Sequence, residues 1–172
     1  QTRLSKLAGG VAIIRVGAES EIELKEKKDR VDDAILSTQA ALEEGIVPGG
    51  GAALIHSKNI AIKNSLPLDI TLSDEHIKGM NIVYSACEAP FKAIIQNAGL
   101  PNDLINDANK INEHHTTHGY NVITERFCDL FEAGVVDPTK VTRIALEKAV
   151  SVAGTLLTTE CMVVEEPEQV NT

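Results

Sequence analysis

Three consecutive glycines, Gly49, Gly50 and Gly51, stand in "EEGIVPGGGAALI" between two segments with helical periodicity. Glycine loses the most backbone entropy on ordering and brings no side chain to pack. A fold that keeps three together needs a sharp turn there, or needs another group to come close to the backbone. Upstream, "ESEIELKEKKDRVDDAILSTQAALEEG" places Val31, Ala34, Ile35, Thr38, Ala41 and Leu42 on one helical face and predicts a long helix stopped at Gly45. Its first half, around "EKKDR", is polar nearly all round and is expected to face solvent or a partner. Downstream, a second helix is predicted through "AALIHSKNIAIKN".

The remaining pattern is also mostly helical. Ser73 before Asp74 and Glu75 predicts a helix start. Pro90 is expected to kink that helix or begin a new one, "PFKAIIQNAG", stopped by Gly99. A short helix follows from Pro101, and a long one, "VTRIALEKAVSVAGTLLTT", has Thr139 or Thr142 as candidate caps and Ile144, Ala145, Ala149, Val152 and Leu156 as its apolar face. Strands are expected at "VAIIRVGA", "YNVIT" and "ECMVVEE", a helical turn at "CDLFEAG", and a lead-in to the last helix at "VVDPT". The reading is mainly α with two or three short strands.

Composition narrows the rest. Aromatic residues make up 3% with no Trp, so the core must be built from Ala, Val, Leu and Ile, which suits packed helices better than a sandwich or barrel. A formal charge of −9 argues against a nucleic-acid-binding module. No run of about 18 apolar residues predicts a membrane span. Cys87, Cys128 and Cys161 form neither a CxxC pair nor a dense framework, so free thiols in a reducing compartment are expected. The length of 172 residues fits one domain, yet "QTRLSKLAGG" reads as the last turns of a helix, which suggests a piece of something longer.

Candidate chemistry is sparse on residue type alone. The triple glycine can present helix N-terminal N–H groups to an anion, but no Lys-Ser or Lys-Thr follows as in a phosphate-binding loop, and a helix is expected before it. His114 and His118 have a zinc-binding spacing next to His115 and Glu113; the turn-like "TTHG" and the lack of an HExxH carboxylate favour a solvated loop, and no metal site is expected. Asp32 and Asp33 lie in a charged helix, where most carboxylates only solvate a face.

Taken in order, "KLAGGVAIIRVGA", "EKKDRVDDA", "EEGIVPGGGAAL", "EAPFKAII", "GYNVIT" and "GVVDPTKVTRIALEKAVSVAGTLLTTECMV" resemble the C-terminal part of the group I chaperonins, the GroEL type. The resemblance implies that residues 1–11 end an apical domain, residues 12–43 supply an intermediate-domain strand and long helix, and residues 44–172 form the C-terminal half of a helical equatorial ATP-binding domain. It implies an ATP-dependent, Mg2+-assisted folding machine of identical subunits in a double seven-membered ring. Its partners would be a lid co-chaperonin and unfolded client proteins, in the bacterial cytoplasm or an organelle matrix, with neither nucleic acid nor membrane involved. Gly50 matches the glycine whose backbone lies against the nucleotide. Asn121, Val122 and Ile123 match the segment around the adenine ring, and Asp137 the acid on the ribose hydroxyls. Asp33 matches the intermediate-domain carboxylate that orients the attacking water. The terminal "TECMVVE" would be a strand shared with a neighbouring subunit.

Two positions depart from the family pattern: Pro48 stands where a small residue is usual before the glycines, and Val122 replaces a typical Ala. The family's N-terminal equatorial half, with its Gly-Asp-Gly-Thr-Thr phosphate loop and metal-binding acid, has no counterpart in this sequence. Catalysis by these residues alone is therefore not expected. A non-enzymatic assembly or protein-binding module derived from a chaperonin is the competing reading, and a metal enzyme built on Glu113 and the histidines a third.

Overall fold

The computed structural model describes residues 12–64, 72–101, 103–106 and 116–164. The chain divides into two compact units, residues 1–39 and 40–172, and helix α1 (Glu21–Glu44) runs through the boundary.

In the first unit, α1 starts on a Ser-x-x-Glu signal. The hydroxyl of Ser20 accepts the Glu23 N–H at 3.3 Å, and the Glu23 carboxylate reaches back to the Glu19 N–H at 3.2 Å. Glu21 and Glu23 in the first turn suit the positive end of the helix dipole. Pairs four residues apart, Glu23–Lys27 at 2.8 Å and Glu26–Arg30 at 2.5 Å, support the polar half. The expected apolar face is not buried: α1 has no buried residue, Val31 and Ala41 are half-covered, and Ile35 and Leu42 are exposed. Residues 12–18 form no strand either. Ile13 and Ile14 are exposed and find no ladder partner among the described residues, and β-branched composition cannot substitute for one.

The second unit begins with the end of α1. Gly45, at φ +80°, donates its N–H to the Ala41 carbonyl at 2.8 Å and turns the chain out of the helix. Strand β1 (Ile46–Pro48) follows at once, where a direct helix-to-glycine passage was expected. It pairs antiparallel with β4 (Val136–Pro138), Val47 opposite Asp137. Both strands end in proline, which can donate no ladder bond, so the sheet stays three residues long. The segment read only as a lead-in to the last helix is therefore a strand. The other sheet is a hairpin, β2 (His118–Asn121) with β3 (Arg126–Asp129).

The core forms where helices α2 (Ala52–Asn64) and α4 (Ala89–Asn97) meet the hairpin. Ile55, Phe91, Ile95 and Tyr120 make one buried cluster, with Val122 and Phe127 packed on it. Tyr120 and Phe127 contact edge to face, ring centroids 5.0 Å apart. Pro90 sits in the first turn of α4, so the chain starts a new helix after α3 (Asp74–Ala86) instead of bending one.

Helix α5 (Thr139–Leu157) has Pro138 as its N-cap residue and no side-chain cap. Neither expected threonine caps it; Thr142 instead donates to the Pro138 carbonyl at 3.3 Å. Its expected apolar face has no buried member, and Ile144 alone of the five is half-covered. Residues 159–164 form no strand with any of the described residues, and Met162, Val163 and Val164 are exposed. Of the helix expected from Pro101, residues 104–106 are helical. The remainder of that helix, His114 and His115, and the expected helix end before residue 12 lie outside the described residues.

Candidate functional site

The three glycines occupy the link from β1 to α2, and each is constrained differently. Gly49 donates its N–H to the Val135 carbonyl at 2.9 Å, and a β-carbon on it would lie 3.1 Å from that carbonyl group. Gly51, at φ +78°, backs onto Phe91: a β-carbon would fall 2.7 Å from the Phe91 nitrogen. Packing accounts for both. Gly50 is different. Its φ is +65°, but a β-carbon there would meet only the Tyr120 carbonyl oxygen, at 3.9 Å. The backbone at Gly50 therefore faces open space beside the end of β2, and chain packing leaves room for another group to lie against it.

Gly119 brings β2 to that position. A β-carbon on Gly119 would lie 3.0 Å from the Ala52 β-carbon and 2.5 Å from Leu130 Cδ1, so only glycine lets the hairpin lie flush on the first turn of α2. Asn121, next along the strand, is buried (8% exposed). Its Oδ1 accepts the N–H groups of Ile123 at 3.0 Å and Thr124 at 3.3 Å, which closes the hairpin turn. Val122 packs on the core, while Ile123 projects outward, 92% exposed. Of the three residues expected near a purine ring, Ile123 is thus the one with a free apolar surface.

Asp137 reaches the same end of the unit by another route. The β1–β4 ladder sets it opposite Val47, two residues before Gly49. Its carboxyl is half-buried, burial raises its pKa above the ordinary range, and no described residue donates a hydrogen bond to it. Hydroxyl donors from a bound molecule would relieve that desolvation. Gly50 beside the end of β2 thus has room for a close approach to its backbone, and Asp137 is a half-buried carboxyl able to accept hydrogen bonds. Among the described residues no group of three His, Cys, Asp or Glu side chains could hold a metal.

Asp33 lies in the first unit, exposed on α1. His118, expected in a loop, belongs to strand β2 instead; its Nδ1 lies 4.0 Å from Asp129 Oδ2.

Three features had no sequence reading. One is the β1–β4 ladder, signalled by the matched runs "IVP" and "VDP", each β-branched or acidic before proline. Another is His56, buried under β2. The third is the Lys58–Glu88–Lys92 ion cluster, in which Glu88 lies 2.5 Å from Lys58 and 2.8 Å from Lys92.

Comparison with known proteins agrees with this architecture. A crystal structure of a group III chaperonin in the open state is similar over 90% of this chain, with a TM-score of 0.70 and 27% sequence identity. The match takes in 32% of that chaperonin chain, so the present chain spans about a third of its length. The family model described as the TCP-1/cpn60 chaperonin family matches residues 2–167. With nearly every residue inside that match, the chain belongs to the TCP-1/cpn60 chaperonin family.

Proposed function

We propose that this chain is the C-terminal portion of a group I chaperonin and that its second unit carries the base and ribose side of an ATP site. In this reading residues 1–11 end the apical domain, 12–43 belong to the intermediate domain and 44–172 to the equatorial domain. The observation that carries the proposal is Gly50. Its left-handed backbone faces open space beside Tyr120, while the glycines on either side are fixed by packing.

Gly50 would let the nucleotide approach the main chain, Ile123 would offer apolar contact to the base, and Asn121 would hold the turn that presents Ile123. Val122 would back that turn from the core side. Asp137 would accept hydrogen bonds from the ribose hydroxyls, which favours its ionised form and reverses the effect of burial. When bound, ATP with Mg2+ supplies the phosphoryl group that water attacks. Asp33 is assigned the carboxylate that orients that water. The metal ligands and phosphate loop are assigned to the N-terminal equatorial half, so the 172-residue chain by itself is expected to bind Mg-ATP weakly or not at all.

The intact protein would couple hydrolysis to the folding of client proteins in a double seven-membered ring with a lid co-chaperonin, in the bacterial cytoplasm or an organelle matrix. Exposed Val141, Val152 and Leu156 on α5 and exposed Met162–Val164 support contacts with other subunits, including a strand shared between them. The same surface would serve a purely structural assembly module, which differs in having no nucleotide site.

Asp137→Asn in the full native protein tests the reading. Calorimetry with ADP should give an affinity at least tenfold weaker, with the melting temperature nearly unchanged. ADP binding unaffected by the substitution would overturn the assignment, and no ADP binding by the unaltered protein would favour the assembly module.

A further inference from the structure

One buried polar side chain joins the two walls of the candidate site. His56 lies one turn into α2, past the glycines, and is 7% exposed. Its Nε2–H donates to the carbonyl oxygen of His118 at 2.8 Å, across 62 residues of sequence. That carbonyl belongs to the first residue of β2, the strand that ends at Asn121. The other ring nitrogen, Nδ1, is buried with no hydrogen-bond partner. A buried, unsatisfied ring nitrogen costs stability that an apolar residue of similar size would not. A histidine here can do what leucine cannot, which is to donate a hydrogen bond to β2.

We infer that His56 is a positioning residue: its ring straps hairpin β2–β3 onto α2 and so fixes where residues 121–123 stand relative to Gly50. The geometry favours this over simple core filling. Gly119 packs flush on Ala52 but carries no side chain that could form a directional contact there. The Nε2–H bond supplies the direction that glycine packing lacks. Burial lowers the ring's pKa, so it stays neutral with its proton on Nε2, the tautomer the strap requires. The step from strap to ligand affinity rests on the nucleotide reading given above; the strap itself does not.

The test uses the full native protein with His56→Leu and His56→Gln. Leucine fills similar volume without a donor, whereas the glutamine amide can place an N–H where Nε2 lies. Hydrogen exchange over residues 118–129 should rise roughly tenfold in H56L and return close to the unaltered rate in H56Q. ADP affinity should follow, roughly five- to tenfold weaker in H56L and within about twofold of normal in H56Q. Exchange that accelerates equally in α2, α4 and the hairpin would show a core residue and overturn the strap. So would hairpin exchange unchanged in H56L. Hairpin opening in H56L in a protein that binds no ADP at all would uphold the strap and overturn the nucleotide reading instead. Should H56L fail to fold, H56Q decides: hairpin exchange at the normal rate supports the strap, and exchange as fast as in a free hairpin contradicts it.

Discussion

The buried ammonium of Lys58 donates to Glu88 Oε1 at 2.5 Å, tying the middle of α2 to the start of α4. Lys92 approaches the other oxygen at 2.8 Å from one turn further along α4. The two helices that carry Ile55, Phe91 and Ile95 are thereby fixed from outside the core as well as within it. Burial alone would favour the neutral acid, but Lys58 and Lys92 together hold the Glu88 carboxyl down to about 2.

That depressed value predicts an acid-sensitive step. A carboxylate with a lowered folded-state pKa stabilises the fold fully above its unfolded value and loses that contribution as pH falls through its folded value. The Glu88 contribution should therefore fade between about pH 4.5 and pH 2. Urea unfolding across that window should show a shallower acid loss in Glu88→Gln than in the unaltered chain. Near neutral pH, Lys58→Met should cost about 2 kcal/mol because it leaves a half-buried carboxylate short of a donor. Lys92→Met, at a more exposed site, should cost less than about 1 kcal/mol.

Adjacent glycines should respond differently to alanine. Gly51→Ala forces a β-carbon into the Phe91 backbone at an unfavourable φ, and it should destabilise the fold by more than about 2 kcal/mol. Gly50→Ala meets open space and should cost only about 1 kcal/mol for the left-handed backbone. Its methyl group points into the space assigned to the nucleotide, so ADP affinity in the full native protein should fall. Chemical denaturation paired with calorimetry separates the two effects; a Gly50→Ala protein with normal ADP affinity would remove the main support for the site.

The hairpin turn offers a similar contrast. Asn121→Ala leaves the Ile123 and Thr124 N–H groups without their acceptor and should lower stability by about 1 kcal/mol. Ile123→Ser removes an apolar side chain that is already in water, so stability should not change. A several-fold loss of ADP affinity in Ile123→Ser would then report direct contact with the base. Unchanged affinity would confine residues 121–123 to holding the turn.

Much of the helical layout was legible because its signals are local. Ser73 with Asp74, the glycine at 45 and the proline at 90 act within a turn of where they stand. The strands were harder, since a strand exists only with its partner. "VAIIRVGA" has the better β composition, yet its residues 12–18 form no ladder among the described residues, whereas the short "IVP" does so because "VDP" lies opposite. The apolar stripes of α1 and α5 showed periodicity without showing what would cover them. At the candidate site, the glycines were visible, but which of the three faces open space depends on Val135, Phe91 and Tyr120, residues 40 or more positions away. His56 gave no signal at all. A lone histidine in a helix does not announce a carbonyl 62 residues distant.

Asp33 carries the central claim, that the full native protein hydrolyses ATP with a carboxylate outside the unit that binds the base and ribose. It is exposed on α1, so truncating it opens no core cavity. Asp32, about 100° around the helix, serves as the control. Single-turnover hydrolysis and nucleotide affinity should be measured on Asp33→Ala and Asp32→Ala in the full native protein. Asp33→Ala should slow hydrolysis by about 10²–10⁴ with affinity nearly unchanged, while Asp32→Ala behaves as the unaltered protein. Equal rate losses at both positions, or affinity lost together with turnover at Asp33, would contradict it.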